Sequence, residues 1–348
     1  MTMKLRNTVA GIAVALTVGV GTMAGAQAEE VNVYSYRQPF LIKPLLDAFT
    51  EKTGIETNVL FDDKALIERM VQEGQNSPAD LLLTVDIGRL ENAVASGVTQ
   101  SAESEVLEKN IPAAYRDENG QWFGLTTRAR VIFASKDRVE QDTITYEELA
   151  DPKWKGKICM RSGQHVYNVA LIASIIAHDG EEKAEEWLRG VKANLARKPA
   201  GNDRAQVKGV YTGECDIALA NTYYMAKMLQ NDKEPEQKEW ARSARIIFPN
   251  TDGRGTHVNV SGVALAKNAP NRENAVKLME FLSSDDAQQI YAEVNNEYPV
   301  NPDVEASELV ESWGDFKRDP LPLDRIAELR KKASELVDKV GFDDGPES

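Results

Sequence analysis

Histidine and cysteine are both scarce in this chain, at three and two residues among 348. Neither cysteine stands in a C-x-x-C pair or at Cys/His ligand spacing, which argues against a structural zinc site. No G-x-x-x-x-G-K-[ST] loop is present to cradle a nucleotide. No Ser-His-Asp or Cys-His arrangement offers an activated nucleophile, and no separated acid/base pair of carboxylates stands out. Beyond the N-terminus no apolar run approaches the ~18 residues of a membrane span. Basic residues are outnumbered, 41 against 55 acidic, for a net charge of −14. Such a surface repels polyanions, so nucleic-acid binding is excluded and anionic membranes are disfavoured.

What is present begins with a leader. Lys4 and Arg6 precede small apolar residues from 8 to 25, and Ala26-Gln27-Ala28 fits an A-x-A cleavage site. Residues 1–28 therefore read as a secretory signal peptide, with no cysteine near the cleavage point to carry a lipid. The mature chain is expected to begin at about Glu29 and to be soluble in a bacterial periplasm. Its 320 residues, 39 basic against 55 acidic, suit two domains. In an oxidising compartment Cys159 and Cys215 are expected to pair, closing a loop of 56 residues. Chain entropy assigns such a loop ~4 kcal/mol. Two buried free thiols are the other reading.

The mature chain alternates strand and helix patterns. EVNVYSY reads as a strand, PFLIKPLLDAFTEKTG as a helix closed by Gly54, ETNVLFDD as a strand and ALIERMVQEGQ as a helix. ADLLLTVD is a continuous apolar run of the kind found in buried parallel strands. This β-α-β-α-β order predicts a doubly wound α/β domain. WFGLTTRARVIFAS then reads as a long extended passage into a second α/β unit, and THVNVSGVALAK as a passage back. The fold class expected is α/β with two hinged lobes and a ligand cleft at the carboxyl ends of the strands. Residues 29–127 with 256–300 form one expected lobe, and 128–255 with 301–348 the other.

Four segments are expected at strand-to-helix junctions facing the cleft: Ser35 to Pro39, Thr126 to Arg130, Ser162 to Asn168, and Asn221 to Tyr224. They carry three tyrosines, Tyr167, Tyr223 and Tyr224. A free phenol, with pKa ~10, is a poor ligand at neutral pH. A small trivalent cation reverses this by stabilising the phenolate, so that binding releases protons. Ferric iron, hard and selective for anionic oxygen, suits three phenolates that neutralise its charge. The plainer reading is aromatic packing. Arg37 and Arg128 at strand exits are suited to hold a small oxyanion such as carbonate in the positions left open on the metal, with Gln38 as a further donor; solvated surface arginine is the alternative. His165 lies near Tyr167, but no second histidine keeps a ligand spacing. His178 and His257 read as surface or packing residues.

The stretches NVYSYRQP, SPADLLLTVD, RSGQHVYN, KANLARKPAGNDRAQVK and LANTYYMAKM together resemble the periplasmic ferric-iron-binding proteins (FbpA/FutA-like, three-tyrosine subgroup), the solute-binding components of iron ABC importers. The resemblance covers essentially the whole mature chain. It implies a class II periplasmic-binding-protein fold, two lobes closing on Fe3+. By position it makes Tyr167, Tyr223 and Tyr224 the metal ligands, and Arg37, Gln38 and Arg128 the holders of a synergistic anion. Some members carry His-Tyr after the first strand. This chain has Gln38-Pro39 there, so carbonate or water is expected to complete the sphere. The resemblance also implies a Cys159–Cys215 bridge, an inner-membrane ABC permease as partner, a monomer, and no enzymatic activity. The competing readings are a polyamine or sugar stacked on the tyrosines, and a secreted enzyme using a tyrosine as acid or base.

Overall fold

The computed structural model describes residue 1 and residues 29–347, so the signal-peptide reading lies outside the described residues. Strand β1 (Glu30–Ser35) sends Val31 and Val33 into the core. Helix α1 (Pro39–Thr53) opens on proline, whose fixed φ and missing N–H suit a first helical turn. It closes on Gly54 at φ 76°, a left-handed conformation that favours glycine. Then come β2 (Glu56–Phe61), α2 (Leu66–Glu73), β3 (Leu81–Thr84) and α3 (Ile87–Ala95). β1 pairs in parallel with both β2 and β3. β3 is buried along its whole length, as a strand covered on both faces must be.

After β4 (Thr99–Gln100) and α4 (Glu105–Asn110), the strand β5 (Phe123–Ser135) runs for 13 residues with every one buried. The second half follows as β6 (Ile158–Cys159), α5 (Val166–Asp179), α6 (Glu181–Asn194), α7 (Asp203–Thr212), β7 (Ile217–Asn221), α8 (Tyr223–Leu229), α9 (Glu236–Arg242) and β8 (Ala244–Ile247). The chain returns through β9 (Val258–Ala266), α10 (Arg272–Ser283), α11 (Asp285–Ile290) and β10 (Tyr298–Pro299). It finishes with α12 (Glu308–Glu311) and α13 (Leu323–Val340). The neighbour order is β2-β1-β3-β9-β5-β7-β6, with β4 on β9 and β10 and β8 on β5.

The strand β5 joins the two halves. Up to Ala129 it pairs antiparallel with β9, and from Arg130 onward with β7 and β8. The expectation of a long extended passage at this point holds. Thr126 to Arg130 does not lie at a strand-to-helix junction, however, because the segment sits in mid-strand with paired neighbours on both sides. α13 packs against both α5 and α3. Its Arg330 crosses directly over Gly88, where a Cβ would collide with the guanidinium Nε. Among the described residues no helix is long and apolar enough to cross a membrane.

Cys159 in β6 and Cys215 just before β7 form a disulfide, with Cα atoms 5.9 Å apart across 56 residues of chain. The bridge ties the approach to α5 to the approach to α8. Replacing both cysteines by serine is expected to cost about 2–4 kcal/mol of stability. Urea unfolding of the variant beside the oxidised parent checks this, and coincident curves would refute it.

Candidate functional site

α5 and α8 both start at the carboxyl end of a second-half strand, and both put tyrosine into their first turn. His165 caps α5, its Nδ1 accepting from the Tyr167 N–H at 3.3 Å. Tyr167 is therefore the second residue of that helix. Tyr223 and Tyr224 open α8. The strand-to-helix junction expected at Asn221 to Tyr224 is present, and both tyrosines project from the same helical turn, with ring centroids 4.4 Å apart. The Tyr223 hydroxyl donates to that of Tyr167 at 3.1 Å. Three phenols from two helix starts thus converge on one place.

The surroundings are cationic. Guanidinium carbons of Arg161, Arg128 and Arg130 lie 5.5, 5.8 and 5.9 Å from the Tyr167 ring centre. The Lys227 ammonium lies 4.8 Å from the Tyr223 ring, and Arg204 5.8 Å from that of Tyr224. Burial, and then repulsion from the neighbouring phenolates, pushes the Tyr223 and Tyr224 hydroxyls above the ordinary tyrosine range. These two phenols are accordingly neutral at ordinary pH. Burial also lowers the Lys227 ammonium to about 8, with Arg37 and Arg204 adding to that effect.

The residues expected to hold an anion fall into three different situations. Arg128 is buried and donates through Nη2 to the Val85 carbonyl, while its Nη1 is buried with no partner. Arg128 lines a small pocket of about 10 Å3 with Arg130, Tyr167, Asn221, His257 and Asn259. The space is about enough for one water-sized oxygen. Arg37 is also buried, but its Nη2 already holds Glu297 Oε2 at 2.6 Å and Ser261 Oγ at 2.7 Å. Burial opposes the charge on Glu297, yet Arg37 and Arg128 hold its carboxyl below the usual range. Gln38 is exposed at the N-terminus of α1, and its side chain caps nothing. Of the three, Arg128 alone presents an unused buried donor beside the phenols.

Several residues with evident roles here were not anticipated. Arg130, 2 % exposed, donates through Nη1 to Asp203 Oδ2 at 2.7 Å and through Nη2 to Asn168 Oδ1 at 2.9 Å. Asp86 caps α3 by accepting from Gly88 N, and also accepts from Asn259 Nδ2 at 2.8 Å. Arg330 Nη1 stands 3.1 Å from Asp86 Oδ1 and donates to the Val166 carbonyl at 3.2 Å. One side chain thereby joins the loop after β3 to the start of α5. A buried arginine within a strand pattern was the available signal for Arg130, since burial demands a partner.

Residues 76–317 match the model of the bacterial extracellular solute-binding protein family. The chain is 47 % identical over 317 residues to iron uptake protein A1 of Synechocystis, covering 90 % of this chain and 88 % of that one. The fold superposes on the apo ferric ion-binding protein A of Pasteurella haemolytica with a TM-score of 0.86 and 54 % identity, over 91 % of this chain and 99 % of that one. It matches the Trichodesmium IdiA (FutA) structure, in complex with iron and citrate ligands, with a TM-score of 0.86 and 45 % identity, over 90 % and 99 %.

His257, 2 % exposed, is held down to about 3, first by burial and then by Arg130 and Arg128. It folds neutral. Its contribution to stability is complete above its ordinary value of 6.5 and is lost as pH falls from there toward 3. Unfolding free energy is expected to fall by up to about 1.4 kcal/mol per pH unit in that window on account of His257. Urea titrations of the parent and of His257→Gln at stepped pH measure it, and equal slopes in the two proteins would refute it.

Proposed function

The chain belongs to the bacterial extracellular solute-binding protein family, and from that premise we propose that it captures ferric iron in the cleft between its lobes and delivers it to an ABC importer. Tyr167, Tyr223 and Tyr224 supply the oxygens. The convergence of the three phenols, with two hydroxyls 3.1 Å apart inside a ring of cationic side chains, carries this reading. A trivalent ion displaces their protons, and the three phenolates cancel its charge. Arg128, Arg161 and Lys227 offset the cost of gathering those negative oxygens.

In this reading the lobes are residues 29–127 with 256–300, and 128–255 with 301–348. Arg128 Nη1 is the donor suited to an oxygen of a synergistic anion, carbonate or a similar oxyanion, because it is buried and unpartnered. Arg37 contributes at the same rim only through atoms that Glu297 leaves free. Gln38 belongs to the anion set on the resemblance alone. The protein acts in the periplasm as a monomer, presents its ion to an inner-membrane permease, and is a carrier rather than an enzyme. A polyamine is a poor fit, because arginines and a lysine line the phenol cluster and its nearest buried carboxylate, Asp203, is already paired.

The iron-loaded protein is expected to be purple-red from phenolate-to-iron charge transfer. Tyr223→Phe or Tyr224→Phe should abolish tight ferric binding while the apo fold survives, because a single hydroxyl is lost. Citrate competition read in the visible band tests this. Unchanged affinity removes that residue from the site, and a colourless wild type removes the reading itself.

Acid should release the ion. Each bound phenolate takes up a proton on release, so affinity falls as pH drops. Retention well below about pH 4 would contradict a phenolate sphere.

A further inference from the structure

We infer that the Arg130–Asp203 ion pair is a positioning device for the iron site, setting the spacing of the tyrosines without touching the ion. The inference rests on the ferric reading above. Asp203, at the start of α7, is fully buried. Its Oδ2 accepts from Arg130 Nη1 at 2.7 Å and from the Asn221 backbone N–H at 3.2 Å, and its Oδ1 accepts from Arg161 Nη1 at 3.3 Å. One carboxylate therefore holds β5, the segment leading into α5, and the end of β7.

Arg130 extends the same grip to the ligands' neighbours. Its Nη1 also donates to Asn221 Oδ1 at 3.1 Å, two residues before Tyr223. Its Nη2 donates to Asn168 Oδ1 at 2.9 Å, one residue after Tyr167. Asn168 in turn donates through Nδ2 to the carbonyls of Arg161 and Ser162, both at 3.0 Å, closing the turn that precedes α5. The helix starts that carry the phenols are thus referenced to one planar fork and one carboxylate.

Burial makes the arrangement stiff. A guanidinium and a carboxylate removed from water keep their charges only while paired, so neither partner swings away at low cost. The fork geometry matters as well as the charge, because an ammonium cannot reach Asp203, Asn221 and Asn168 together. The pair lies at the residue where β5 changes from β9 to β7 and β8 as its partners, so the reference point sits at the junction of the two halves.

The test uses three variants of the mature protein: Arg130→Lys, Asp203→Asn and Asn168→Ala. The last leaves no charge unpaired and touches no phenol, so it keeps the test alive where the first two fail to fold. Each is measured for apo thermal midpoint, ferric affinity by citrate competition, and the position of the visible charge-transfer band. Loss of second-sphere support is expected to lower affinity roughly 10- to 100-fold in Arg130→Lys and Asp203→Asn, toward the lower end in Asn168→Ala, with a displaced band. A merely structural role would lower the midpoint and leave affinity and band unchanged in the folded fraction. That result, in any variant that folds, overturns the inference. Wild-type protein and Tyr223→Phe run alongside: a wild type without the band defeats the ferric reading, whereas a coloured wild type with unaffected variants defeats the positioning role alone.

Discussion

A phenolate needs a positive neighbour, and a buried positive neighbour needs a negative one. This site meets both requirements with a surplus of cations. Arg128, Arg130 and Arg161 gather around Tyr167, while Asp203 is the buried carboxylate among them, and two of those arginines share it. The remainder is net positive, directed at three hydroxyls. Such a surplus lowers the cost of bringing anionic oxygens together. Burial keeps two of the phenols neutral at rest, and on the proposed ligand set the cations ease the loss of their protons when a trivalent charge enters.

The same requirement shapes the far side of the cleft. Arg37 and Glu297 neutralise each other, with Ser261 and Thr126 completing their hydrogen bonds. The positive excess is therefore concentrated on the second half of the chain, where the tyrosines are, instead of being spread over both walls. Asp86 and Arg330 add a tie across the junction, bringing the loop after β3 to the residue preceding Tyr167.

Much of this was legible in the residues. Period and capping signals located β1, α1, β3 and the opening of the second half, because those segments follow local rules: an alternating strand, a proline start, a glycine stop. The tyrosines stood out because two adjacent ones are unusual and a third follows a turn-rich stretch. The junction at Asn221 to Tyr224 was legible as well, because a short apolar strand there gives way to a helix-like run. What local pattern could not supply was Asp203. GND reads as a turn, and its partners in β5, the segment before α5 and β7 are 73, 42 and 18 residues away. Long-range electrostatic pairing leaves no periodic trace. The engagement of Arg37 by Glu297 is of the same kind, across 260 residues.

The disulfide encloses Tyr167, Asn168 and Asp203 within its 56-residue span. The covalent loop and the captured ion thus answer to the same variable. An electron donor that turns ferric iron into the less highly charged ferrous ion removes the reason for three phenolates, and one that opens the sulfur bridge slackens the loop presenting one of them. A reducing compartment would attack cargo and cradle together. On the proposed ligand set, retention of ferric iron and integrity of the bridge both favour surroundings poor in electron donors.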